Sequence, residues 1–371
     1  MVDDILAGSD RRARTLRVTR VQKADGSWAV LMAENAGVSG WVQVGEVMLF
    51  DQAEEHFTRE IDANPGVPVY YQLRGSVRAQ QGQYELALSD YDEAIRLDPK
   101  DATAYCYRGI ACSAEKDYDK AIADYDEAIN LDSKLAEAYY NRGNVWLARK
   151  DHGKAVLDYD EAIRLDPKLA EAYHNRGMCW LAATDYDKAI AECDKAIQLD
   201  PGLSAAYCCR GYAWSAKKDF GKAIADYDEA IRLDPRLSAA YCCRGNAWLA
   251  TRNYAKAVAD YDEAIRLDPT EGSAYCNRAW LWATCPEMKY RDGKRAIESA
   301  TRACELVEWT RGHEIAILAA AYAEAGDFDA AVRWQGEAME MSTDPNEKND
   351  HRSRLDLYKA RETYRRAPKT K

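Results

Sequence analysis

A 34-residue period governs what this chain can fold into. Tyr71, Tyr105, Tyr139, Tyr173, Tyr207, Tyr241 and Tyr275 fall 34 residues apart. Gly75, Gly109, Gly143, Gly177, Gly211 and Gly245 keep the same interval, with Ala279 next. Two alanine series follow, one from Ala87 to Ala257 and one from Ala94 to Ala264. Pro99, Pro167, Pro201, Pro235 and Pro269 close the units, with Ser133 standing in the second. A period of about 20–50 residues marks stacked supersecondary units, none of which can bury its own faces alone. The chain has 371 residues, and the repeated stretch excludes the two or three separate globular cores that such a length would otherwise suggest.

One unit, Ala102 to Leu135, shows why. Tyr105, Gly109 and Cys112 share one helical face, and Asp117 offers a cap for a second helix. Ala121, Tyr125 and Ala128 mark the inner face of that second helix. Small residues let the two helices approach closely, and proline sets a boundary before the next unit. On these residues the chain resembles the tetratricopeptide repeat family over about residues 68–343. The resemblance implies an all-α right-handed solenoid of about eight helix–turn–helix repeats with a small N-terminal β segment. The repeats lie near 68–101, 102–135, 136–169, 170–203, 204–237, 238–271, 272–311 and 312–343. Gly82 and Gly326 stand in the turn between the two helices, where a left-handed residue is usual. Lys116, Lys150, Thr184, Lys218 and Arg252 fill that slot elsewhere, and a small backbone cost is expected there.

The seventh position of the repeat, usually a buried leucine in that family, is Arg74, Arg108, Arg142, Arg176, Arg210, Arg244 and Arg278. The twenty-third is Asp90, Asp124, Asp158, Glu192, Asp226 and Asp260. Both become apolar together in the last unit, as Leu318 and Trp334; Arg278, facing Ser299, breaks the correlation. Partly buried bidentate bridges are therefore expected, between the two helices of a unit or to the adjacent unit. Arg176→Leu alone should then cost several times more stability than changing both partners.

The ends differ from the array. Residues 1–13 read as a flexible start. Residues 14–49 read as strands, with Leu16, Val18 and Val21, then Asp25-Gly26, then Trp28, Val30 and Met32, then Trp41, Val42 and Val44. This segment resembles a truncated bacterial Src-homology-3-like barrel. Residues 50–67 carry Ala53, Phe57 and Ile61 at helical spacing and read as an N-terminal capping helix. The seventh unit has a longer turn, Cys285 to Gly293. Residues 344–371 read as a solvating helix around Leu355, Leu357 and Tyr358, followed by a basic tail.

Charge and motifs narrow the function. A net charge of −11 opposes nucleic-acid binding through phosphate contacts. No apolar run is long enough for membrane insertion, and no secretory leader is visible, so a cytoplasmic location is expected. The five histidines lack metal-ligand spacing, and no phosphate loop, nucleophile elbow or Cys-x-x-Cys occurs. No enzyme activity, metal or cofactor is expected. The eleven cysteines read mostly as small apolar packing residues, since like positions of stacked helices lie about 10 Å apart.

The family resemblance implies that the first helices line a concave groove. Its expected lining here is Glu137, Tyr140, Asn144, Glu171, His174, Met178, Cys208, Tyr212, Cys242, Asn246, Cys276 and Trp280. Asn141, Asn175 and Asn277 match the asparagine of the family's carboxylate clamp, but its lysines are missing. The expected function is a non-catalytic scaffold that binds a partner protein, or a peptide with apolar anchors, in this groove. The alternative is a self-associating structural module, because a uniform array stacks easily into a homo-oligomer.

Overall fold

The computed structural model describes residues 16–22, 28–34 and 48–365. Leu16–Gln22 (β1) pairs antiparallel with Trp28–Glu34 (β2), and Met48–Leu49 (β3) adds two residues beside β2. The barrel expected for this segment is not supported. The strand expected at Trp41 to Val44 falls outside the described residues, as do residues 1–13 and the basic tail beyond 365.

Helices account for the rest. Phe50–Ala63 is α1. Pro68–Gln80 and Tyr84–Leu97 are α2 and α3; Ala102–Ala114 and Tyr118–Leu131 are α4 and α5. Ala136–Ala148 and His152–Leu165 are α6 and α7; Ala170–Ala182 and Tyr186–Leu199 are α8 and α9. Ser204–Ala216 and Phe220–Leu233 are α10 and α11; Ser238–Ala250 and Tyr254–Leu267 are α12 and α13. Gly272–Thr284 and Gly293–Leu306 are α14 and α15, with a 3-10 turn at Met288–Tyr290 between them. Gly312–Glu324, Phe328–Met341 and Pro345–Lys359 are α16, α17 and α18.

The chain divides into two compact units after Cys179. In the first, Phe57, Tyr70, Tyr71 and Leu73 bury α1 against α2, and the hairpins α2–α3, α4–α5 and α6–α7 follow. In the second, the hairpins α10–α11, α12–α13, α14–α15 and α16–α17 are closed by α18, whose Tyr358 is fully buried. A close approach of glycine to tyrosine holds five of the hairpins together. A Cβ at Gly143 would sit 2.7 Å from Cε1 of the buried Tyr159, so only glycine admits that ring. In the seventh repeat the glycine and the tyrosine are both replaced, by the buried pair Ala279 and Ala300.

The turns follow from local chemistry. Asp117 caps α5 by accepting the Lys120 N–H. The Asp117 N–H closes back on the Cys112 carbonyl at 2.9 Å, a Schellman-type end to α4. That closure puts Lys116 at φ 63°, and Lys150, Thr184, Lys218 and Arg252 share the left-handed conformation. Such a residue carries roughly 1–2 kcal/mol of strain. Lys116→Gly is expected to stabilise the chain by about 0.5 kcal/mol, the strain relief being partly offset by the added freedom of the unfolded state. Urea denaturation checks it: an unchanged or lowered midpoint would show that the turn is not strained.

Arg74, Arg108, Arg142, Arg210 and Arg244 form the bridges expected between the two helices of a repeat. Arg142 donates to Asp158 at 2.9 and 2.6 Å, and Arg108, Arg210 and Arg244 repeat the bidentate geometry on Asp124, Asp226 and Asp260. Each also reaches back to a second acid on the preceding repeat: Arg108 to Asp92, Arg142 to Asp126, Arg176 to Asp160 and Arg210 to Asp194. Arg278 keeps that second contact, at 2.6 Å to Asp262, and donates to Ser299 Oγ where its acid is missing. The carboxylates hold the guanidinium groups of Arg108, Arg142, Arg210 and Arg244 more firmly protonated than usual. At Asp124, burial outweighs Arg108 and lifts the carboxyl above its ordinary range.

Candidate binding faces of the first helices

The ninth position of several first helices carries side chains open to solvent, and these set the character of the face. In the first unit these are Ile110, Asn144 and Met178, with Ile110 36% and Met178 41% exposed. Ile110 was not among the expected lining, although it holds the same repeat position as Asn144 and Met178. Glu171 is exposed, and Glu137, Tyr140 and His174 are half-buried. Tyr140 and Asn144 are already engaged. Asn175 donates to Asn144 Oδ1 at 2.8 Å and to the Tyr140 hydroxyl at 3.4 Å. The Tyr159 hydroxyl donates to Asn144 Oδ1 at 2.8 Å. Burial pushes the Tyr140 phenol up.

In the second unit the ninth position carries Tyr212, Asn246 and Trp280. Tyr212 is 52% exposed, the most open aromatic ring among the described residues. Asn246 is exposed and accepts from the Tyr261 hydroxyl at 2.8 Å. Cys208 is half-buried, whereas Cys242 and Cys276 are each only 6% exposed. These two are packing residues, and burial raises both thiols to about 12. The fifth position packs sideways against the sixth position of the next first helix: Cys242 accepts from Asn277 at 3.8 Å, and Cys208 meets Cys243. Residues at unlike positions of adjacent first helices therefore touch.

Trp280 has a cover of its own. After α18 the chain turns at Arg361, φ 59°, and the Glu362 N–H closes on the Leu357 carbonyl at 2.8 Å. Tyr364 then lies against Trp280 with ring centroids 5.6 Å apart. The Arg354 guanidinium sits 5.1 Å from the centroid of each of these two rings. Arg365 donates to the Ala283 carbonyl at 3.3 Å and pairs with Glu324 at 2.6 Å. On its other side Glu324 is held at 2.9 Å by Arg291, which the long turn of the seventh repeat supplies.

The hairpin period and the stacked helix pairs define a helical-repeat protein. The chain belongs to the tetratricopeptide repeat family. Models of that family, described as TPR repeat and tetratricopeptide repeat, match residues 75–115, 111–149, 136–169, 170–203, 204–237 and 238–271. TPR proteins generally mediate protein–protein interactions and are generally non-catalytic scaffolds. The same fold occurs in the Cut9–Hcn1 hetero-tetramer of the APC/C, at 15% identity and a TM-score of 0.61. That match covers 73% of this chain and 52% of the other. YrrB, described as a TPR protein with an unusual peptide-binding site, is 23% identical, with a TM-score of 0.41 over 50% of this chain and 95% of its own. Yeast Tom70 is 19% identical, with a TM-score of 0.46 over 84% of this chain and 59% of its own. A search of curated proteins found no match. No described helix is long and apolar enough to cross a membrane.

Proposed function

We propose that this chain is a non-catalytic scaffold whose first-helix faces hold an extended segment of a partner protein by its apolar side chains. The observation that carries the reading is Tyr212, held open on the second unit between the half-buried Cys208 and the exposed Asn246. Aromatic side chains are favoured at the centre of protein interfaces, and an exposed ring on a rigid helix loses little freedom on binding. Met178 and Ile110 offer the first unit the same kind of anchor. All eleven cysteines are thiols, which fits a reducing compartment, and we assign the chain to the cytoplasm.

The test uses peptides selected from a displayed random library on the full chain. Tyr212→Ala is expected to weaken the selected peptides about 30-fold, the loss typical of an aromatic hot spot, with helical content unchanged. Peptides that bind both proteins equally would overturn the assignment. Light scattering across protein concentration separates this reading from self-association.

A further inference from the structure

The segment that covers Trp280 is itself seated as a ligand would be. It has no regular secondary structure, it follows the end of a helix, and its two inward side chains meet different chemistry. Tyr364 stacks on an aromatic ring under a guanidinium. Arg365 meets the Ala283 carbonyl at the C-terminal, negative end of α14, together with the largely buried carboxylate of Glu324. Arg291 fixes Glu324 in place and is itself anchored on the Cys285 and Pro286 carbonyls, so the acid is positioned from within the array. Trp280, at the ninth position of the first helix, is on the expected binding face, and the buried Ala283 lies three residues further along the same helix.

We propose that Tyr364 and Arg365 are a tethered occupant of the binding face at the seventh repeat, and that this end of the face selects partner segments carrying an aromatic residue followed by arginine. The proposal deepens the scaffold reading and rests on it. A tether of a few residues holds its ligand at an effective concentration on the order of millimolar. A partner segment of the same chemistry therefore competes with the chain's own residues, and the face at Trp280 is closed until it is displaced. The recognition needs both halves. An aromatic residue without arginine leaves Glu324 facing only Arg291, and an arginine without the ring leaves Trp280 and Arg354 uncovered.

The probe is a fluorescent peptide copying residues 359–365, followed by anisotropy on the full-length protein. Wild type is expected to bind it weakly. Tyr364→Ala/Arg365→Glu, which empties the site, should bind at least tenfold more tightly, and adding Trp280→Ala should reverse that gain. A peptide with alanine in place of the tyrosine should fail on the opened protein. A second readout guards against an opened variant that folds poorly: trypsin cleavage after Arg365 in otherwise native protein should speed up at least tenfold in Trp280→Ala. Equal peptide affinity for wild type and opened protein, no binding to either, or unchanged cleavage in Trp280→Ala would each overturn the proposal. Tyr212 lies two repeats away, so the library test can fail while this one succeeds, and the reverse.

Discussion

Arg142→Leu is expected to cost about 3–5 kcal/mol, whereas Arg142→Leu/Asp158→Leu should fall within about 1 kcal/mol of wild type. The asymmetry follows from where the two carboxylates lie. Asp158 is buried and gives both oxygens to Arg142, so the single change leaves a charge in the interior without its counterion. The second acid, Asp126, is exposed and returns to water at little cost. Replacing both buried partners removes the desolvation penalty together with the attraction. A repeat array can unfold in pieces, so the effect should be read locally, from hydrogen exchange of the α6 and α7 amides as well as from urea denaturation. Equal costs for the single and double changes would show that the two charges are independent.

The second large effect concerns the glycine and tyrosine that meet inside five of the hairpins. Gly143→Ala places a Cβ against a ring that has no space to retreat, and about 1–3 kcal/mol is expected. Tyr159→Ala empties the same space and should cost about 3–5 kcal/mol. The two together should cost at least 1 kcal/mol less than their sum, because the methyl group then enters the space the ring has left. The seventh repeat already carries this exchange, with Ala279 and Ala300 in place of glycine and tyrosine. A double-mutant cycle decides it, and strict additivity would show that the glycine has another purpose.

Much of this arrangement is legible in the sequence because a repeat supplies its own controls. Arginine and acid appear and disappear together, which betrays their contact. The turn residues keep one slot whatever their type, so the left-handed conformation could be expected even at lysine. The second acid of each bridge was not legible. Asp92, Asp126 and Asp194 look like solvated surface charges until the hairpins are stacked. Cys242 and Cys276 read both as packing residues and, from the family, as groove lining; their burial follows from how far each first helix leans on the next. The cover on Trp280 escaped because a charged, alternating C-terminal stretch reads as solvated. Nothing in its composition says that Tyr364 and Arg365 turn inward. At the N-terminus, short alternating segments between glycines suit any meander, and the resemblance to a barrel went further than those residues warrant.

The shared guanidinium groups make the array indifferent to its own length. Arg108, Arg142, Arg210 and Arg244 each look sixteen residues back and sixteen forward, and their acidic partners recur with the period of the unit. Excising residues 204–237 would bring Arg244 onto Asp194 in place of Asp228, one aspartate exchanged for another at the same register. A gene encoding such a chain can gain or drop whole modules by unequal recombination without a single compensating substitution. The number of residues the face can grip is thereby a quantity that selection adjusts in steps.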